Sequence, residues 1–274
     1  MAGKLAGRYR LLETVGDGSG GTVWRAHDEL LDRPVAVRRP PPGCPFDAAH
    51  PDRVRARVIR EAHAATRLRH PHLLVVHDVF EHEFAPYVVT EHLAARTLAE
   101  RLAREGSLPP DQVARLGAQL ASALAAAHAS GIVHRGIGPD HVLLTDGGAA
   151  KLGGFGLGPG SPLAPDAASP AFAADVRSLG VTLYCALEGR PPGSAVPPRT
   201  CGPVLDAVRA LLAPELSARP AMAEAARLFA GLGISAPAPR SRGRAVLAGT
   251  VLAVVLGTAV TARARWRAHL PRSQ

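Results

Sequence analysis

The stretch Ile132–Leu144, IVHRGIGPDHVLL, decides how the rest of the chain is read. Ile132 and Val133 lead into His134-Arg135, a glycine-broken turn carries Asp140, and Val142-Leu143-Leu144 follows. Apolar runs on both sides of a polar, glycine-containing turn predict a loop held between two buried elements. Gly136, Gly138 and His141 stand where an active-site loop of this shape would present a base, a cation and an amide. The loop therefore has a catalytic outline without catalytic side chains.

The chain around it has 274 residues, of which 47% are hydrophobic. That suits a large two-lobed domain with a real core and an appendage, and argues against wholesale disorder. Net charge is +9, and of the 32 lysines and arginines only Lys4 and Lys151 are lysine. So basic a chain could meet nucleic acid or anionic lipid. No recognition-helix pattern, zinc spacing or aromatic-interleaved basic patch is present, so no nucleic-acid partner is expected. Cys44, Cys185 and Cys201 form no C-x-x-C, and His77, His82 and His92 lack metal-ligand spacing. Neither a disulfide framework nor a metal site is expected.

Upstream of the loop, YRLLETVGDGSGGTVWRAHD (9–28) reads as a strand, a glycine-rich turn and a second strand. RPVAVRR (33–39) is a third strand, and LLVVHDVF (73–80) and PYVVTEHL (86–93) are two more. Between them, residues 51–69 predict a helix with Ala56, Val58, Ile59, Ala62, Ala65 and Leu68 on its apolar face and arginines outward. Helices are expected at 97–104, 110–129, 174–188, 203–213 and 221–232. A β-rich lobe (9–92) followed by a helical lobe (93–233) is an α+β architecture with a cleft between the lobes.

Gly16, Gly18 and Gly21 fit G-x-G-x-x-G-x-V, closed by Val23. Such glycines let backbone amides approach phosphates. TVWRA reads as a strand, so a glycine-rich hairpin is favoured over the strand-to-helix turn of a dinucleotide fold. After it come VAVRR, a helix containing Glu61, HRGIGPDH, KLGGFGLG, LAPD, ADVRSLGVTLY and SARP. This ordered set resembles the serine/threonine protein kinase family, bacterial branch, over residues 9–233. The resemblance implies a two-lobed kinase-like fold, a signalling role, and a nucleotide cleft formed by Gly16, Gly18, Gly21, Val23, Ala36, Arg38 and Glu61. It adds the hinge residues Thr90, Glu91 and Leu93 to that cleft.

Position by position, the family's chemistry is missing. The third-strand lysine is Arg38, which keeps the charge and could pair with Glu61, though its fork is not equivalent to an ammonium. The catalytic-loop base is Gly136, the lysine two residues later is Gly138, and the metal-binding amide is His141. The D-F-G aspartate is Gly154. Asp140 and Asp146 are nearby acids at positions that the family leaves variable. What survives is implied scaffold: His134, Arg135, Phe155, Asp175 bracing the catalytic loop, and Asp166 of an A-P-E-like APD with Arg219 as its expected partner. The segment 154–166 is short, and GRPPGSAVPPRTC (189–201) stands where the family places its G helix. No catalytic residue is intact and no metal ligand is expected. The resemblance leaves ATP as the candidate ligand, while the lost acids argue against Mg²⁺. The expected role is a pseudokinase scaffold or binding module with unknown protein partners, and the alternative is a weakly active kinase.

At the far end, SAPAPRSRGR (235–244) completes a Pro/Ser/Arg linker over 234–244. Residues 245–262, AVLAGTVLAVVLGTAVTA, contain no charge and are bracketed by Arg244 and Arg263. As a helix they would span about 27 Å, which predicts a transmembrane segment followed by a short basic tail, 263–274. Arginines on both sides leave orientation open. The large N-terminal domain is expected in the cytoplasm of a single-pass membrane protein. Ala245, Gly249, Ala253, Gly257 and Thr261 recur every four residues and could pair two such helices in a homodimer.

Overall fold

A computed structural model describes residues 4–18, 21–40, 51–155, 170–193 and 196–233. The predicted linker, membrane segment and tail, and Asp166, lie outside the described residues. Met1–Gly233 forms one compact unit.

The first lobe is a six-stranded antiparallel sheet. Its strands are β1 (Lys4–Leu5), β2 (Tyr9–Gly18), β3 (Gly21–Asp28), β4 (Arg33–Arg39), β5 (Val76–His82) and β6 (Ala85–Glu91). They lie in the order β1-β2-β3-β4-β6-β5. Alternation decides which face is dry. Val35 and Val37 on β4, Ala26 on β3 and Val89 on β6 are fully buried and pack with Tyr9 and Tyr87. Phe80 stacks between Tyr9 at 5.3 Å and Tyr87 at 5.4 Å. On the other face lies helix α1 (Pro51–Ala65), which buries Val58, Glu61, Ala62 and Ala65 at spacings of three and four. Ala56, expected on that apolar face, is exposed. It lies two residues before Val58, roughly 200° around the helix.

A part-buried charge network ties the start of this sheet together. Arg8 donates to both oxygens of Asp28, at 2.6 and 2.7 Å, and the Tyr9 hydroxyl donates to Asp78 at 2.6 Å. Asp28 is fully buried and also accepts the amides of Leu30 and Leu31. The Arg8 guanidinium holds the Asp28 carboxyl down to about 2. Because the folded value lies below the unfolded one, near 4, this stabilisation is complete above about pH 4. It is lost as pH falls through 2. Asp28→Asn is expected to flatten the acid limb of a pH–stability curve measured by denaturant unfolding. An unchanged limb would mean that the network contributes no linkage.

The second lobe is helical. It holds α2 (Leu98–Glu105), α3 (Pro110–Ala129), α4 (Pro170–Glu188), α5 (Pro203–Leu211) and α6 (Met222–Gly233). Thr97 and Glu100 start α2 with a reciprocal capping box. Leu120, Leu124, Leu179, Leu183, Leu211 and Phe229 form the fully buried centre. A small sheet of β7 (Arg96–Thr97), β8 (Val142–Leu144) and β9 (Ala150–Leu152) is inserted here. Its short strands carry too little periodicity to be read from sequence. Among the described residues of 189–202 there is no helix. Backbone bonds between the 72–74 segment and Leu152 fasten the two lobes (Leu152 N–H to His72 O and Leu74 N–H to Leu152 O, both 2.9 Å).

Candidate functional site

The cleft floor is built around one buried carboxylate. Asp175, on the inner face of α4, accepts the amide of His134 at 2.8 Å, the amide of Arg135 at 2.8 Å and His128 Nε2 at 2.9 Å. This bracing holds Arg135 at φ +65°, a left-handed conformation that costs a non-glycine residue about 1 kcal/mol or more. His134 is fully buried. Its Nε2–H donates to the Gly153 carbonyl at 2.8 Å, and its Nδ1 accepts the Gly136 amide at 3.3 Å. Both nitrogens are thereby assigned in the neutral ring, and burial pushes its pKa down. Phe155 packs on it with ring centroids 4.4 Å apart. Asp175 and Phe155 thus both meet His134, one at its backbone and the other at its ring.

Two findings depart from expectation, and a third concerns an expected pair of which only one member is described. First, Glu61 pairs with Arg135 rather than with Arg38. The left-handed backbone at residue 135 turns its guanidinium inward, and the pair is 5% and 6% exposed. Second, Arg38 meets His141 instead, Nη2 to Nε2 at 3.5 Å. His141 Nδ1 bonds the Gly136 carbonyl, so Nε2 is the acceptor facing the guanidinium. Burial, and then the Arg38 charge, push the His141 pKa down to about 3. The ring is neutral throughout the physiological range. Third, Arg219 spends its donors on the carbonyls of Ala213, Ala173 and Pro214 at 2.8–3.2 Å, fastening the start of α4 to the loop before α6. Its expected partner Asp166 lies outside the described residues.

Gly154 joins two of the lost positions. It sits at φ +88°, and a Cβ there would stand 2.9–3.2 Å from Cδ2, Cγ and Nε2 of the His141 ring. His141 therefore fills the space into which a residue-154 carboxylate would project. Gly138 differs: its backbone is extended, and a Cβ there would meet nothing within 4 Å.

The roof is the β2–β3 hairpin. Gly16 pairs with Val23 and Gly18 with Gly21 across its last rungs. Gly21 has φ +93°, and a Cβ would stand 2.0 Å from the Arg39 carbonyl, so only glycine lets β3 leave the turn against β4. Arg38 lies opposite both Val23 and Val88, and Ala36 lies between Arg25 and Thr90. At the hinge the Thr90 hydroxyl donates to the Glu91 carbonyl at 3.2 Å, and Leu93 is half-buried two residues on. Lys151 binds Glu91 Oε1 at 2.6 Å. That same oxygen accepts the Val75 amide at 2.9 Å. The clasp joins residues 60 positions apart and left no local signal in the sequence.

These residues fit a nucleotide better than a metal. The glycine hairpin, the hinge backbone and Arg38 are suited to a base and a phosphate. Mg²⁺ wants several hard oxygen ligands. Here Gly154 offers none, and His141 offers a nitrogen already facing a cation. Among the described residues no three His, Cys, Asp or Glu side chains gather to hold a metal ion. Asp140 is exposed, in the 3-10 turn Pro139–His141, and Asp146 is exposed in the turn before β9.

The chain matches the protein kinase domain over residues 9–161. It is 32% identical over 208 residues to the serine/threonine-protein kinase PrkC of Bacillus subtilis (strain 168), covering 69% of this chain and 32% of that protein. To the serine/threonine-protein kinase PknE of Mycobacterium bovis it is 34% identical over 209 residues, covering 69% and 36%. The chain thus spans about a third of the length of these relatives. Among solved structures it aligns with the crystal structure of Rad53 1–466 in complex with AMP-PNP. The TM-score is 0.65 at 23% identity, covering 80% of this chain and 64% of that one, which shows the same fold. Among the described residues no helix is long and apolar enough to cross a membrane.

Proposed function

The chain belongs to the protein kinase domain family, and from that premise we propose that it is a pseudokinase: a signalling scaffold or binding module that has kept the fold and given up phosphotransfer. It is held to the cell membrane by residues 245–262, with the domain on the cytoplasmic side, and its protein partner is not identified. One observation carries the reading. The Arg38–His141 contact and Gly154 stand together where the family's chemistry places a lysine, an amide and an acid, and the His141 ring takes the space of the acid. A positioned base contributes about 10²–10⁴-fold to such a reaction, and Gly136 supplies none. The remaining catalysis is positioning and charge neutralisation by metal, for which the described residues gather no ligand set.

The cleft still suits a nucleotide taken up without metal, because the hairpin, the hinge and Arg38 remain. The test is thermal unfolding of the full chain with ATP in EDTA and in Mg²⁺, run beside a phosphotransfer assay. At about 100-fold over its Kd, ATP is expected to add roughly 2.7 kcal/mol in EDTA. Mg²⁺ is expected to add nothing further, and transfer to stay at background. A shift that requires Mg²⁺ and comes with transfer would overturn the reading in favour of a weakly active kinase. Asp140, exposed beside His141 in the 3-10 turn, is the acid that such a kinase would draw on.

A further inference from the structure

We propose that a groove on the helical lobe, between α2, α3 and the small sheet, binds an acidic peptide segment of a partner protein, with an apolar anchor residue beside the carboxylate. The inference gives a chemistry to the partner in the reading above, and rests on that reading only in taking the chain to be a binding module. None of the residues lining the groove belongs to the nucleotide cleft. Its volume is about 280 Å³. Clefts for whole small molecules run from about 300 to 1,000 Å³, so this one suits one or two side chains of a peptide. The floor is apolar: Leu108 and Leu116 are buried there, joined by Leu144 of β8 and Ala150 of β9.

The polar groups above that floor are all donors. Gln112, Leu116 and Gln119 lie at spacings of four and three on α3 and so share one face of the helix. Each glutamine has its oxygen occupied already. Arg101 Nη2–H donates to Gln112 Oε1 at 2.7 Å, and the Ala150 amide donates to Gln119 Oε1 at 2.8 Å. These bonds fix which end of each amide is the oxygen, and they leave both NH₂ groups without a partner among the described residues. Arg101 and Arg115 are the charged residues of the lining, and no acid is among them. The nearest carboxylates on α2 and α3 are engaged: Glu105 by Arg101 and Arg104, and Asp111 by Arg115. Arg115 meets Asp111 through Nη2 alone, which leaves the rest of its fork to a ligand. Two amide donors and two guanidinium groups over an apolar floor complement a carboxylate and a neighbouring apolar side chain. No free side-chain acceptor among the described residues lines the groove for a basic peptide.

The test selects random displayed peptides on the full chain and titrates the selected peptides against the native protein, Gln112→Glu and Arg115→Ala. Selected peptides are expected to be enriched in Asp and Glu beside Leu, Ile or Phe. Gln112→Glu keeps an oxygen for Arg101 but turns the free donor into an acceptor, and is expected to weaken binding about tenfold or more, the worth of one hydrogen bond to a charged group. Arg115→Ala is expected to weaken it in the same direction. Both positions lie on the outer side of α3, so the variants should melt with the native protein, and their melting curves check this. Selected peptides without acids, peptides that bind both variants as tightly as the native chain, or no selected peptide at all would overturn the proposal. So would binding of phosphatidylserine vesicles that is lost in both variants while no peptide binds, which would assign the groove to a lipid headgroup. Phosphotransfer in the assay above would overturn the pseudokinase and leave the groove standing, whereas a failure of the peptides leaves the pseudokinase standing.

Discussion

In a phosphotransfer assay with ATP and Mg²⁺, Gly154→Asp alone is expected to leave the rate at background and to lower the melting temperature. The new side chain enters at φ +88°, and its Cβ starts within 3 Å of the His141 ring. Strain of that kind costs about 1–3 kcal/mol. Replacing His141 with Asn in the same molecule opens the space and supplies an oxygen donor. Adding Gly136→Asp restores a base, Gly138→Lys restores a cation, and Arg38→Lys replaces the guanidinium fork with an ammonium. The five-fold variant is expected to gain at least about 10²–10⁴ in rate, the worth of a positioned base alone. The gains should be strongly non-additive, because groups that act as a unit show their effect only when all are present. The five-fold variant remaining at background while folded would show that the defect lies outside these positions. Transfer from Gly154→Asp alone would show that His141 moves aside, contrary to the packing described.

The second large effect concerns Glu61 and Arg135. The pair is nearly fully buried in the interface between α1 and the catalytic loop. Removing one partner strands a charge away from water, so Glu61→Ala is expected to cost about 3–5 kcal/mol. Replacing both with apolar residues of similar volume, Glu61→Leu with Arg135→Met, is expected to recover most of that loss. Arg38→Ala, which leaves the buried pair intact, should cost less than Glu61→Ala. Denaturant unfolding of the three variants beside the native protein checks this. Equal losses for Glu61→Ala and the double variant would show that side-chain packing, and not the charge pair, is what matters there. A loss for Arg38→Ala as large as that for Glu61→Ala would show that Glu61 depends on Arg38 after all.

Much of this molecule is legible in one dimension. The alternation of Val35 and Val37, the 3.6-residue spacing of Val58, Ala62 and Ala65, and the glycines at 16, 18 and 21 are local patterns with local causes. So is the absence of acids at 136 and 154, because a missing side chain needs no tertiary context to be noticed. The short strands β7 to β9 were not legible: two or three residues carry no period, and their pairing is decided by partners up to about 50 residues away.

Side-chain partnership was the least legible feature. Sequence order placed Arg38, Glu61, Arg135 and His141 in one cleft, and the resemblance led to pairing Arg38 with Glu61. Which cation reached Glu61 depended on the left-handed backbone at Arg135, itself held by Asp175 from 40 residues away. The same holds for Lys151 and Glu91, and for the donors of Arg219. The sequence by itself determined the fold, the cleft and the loss of its acidic and basic groups, because those follow from periodicity and residue identity. The tertiary structure alone decided how the remaining charges pair and that His141 fills the place beside Gly154. Charges choose partners by distance and burial, and both exist only after the chain has closed on itself.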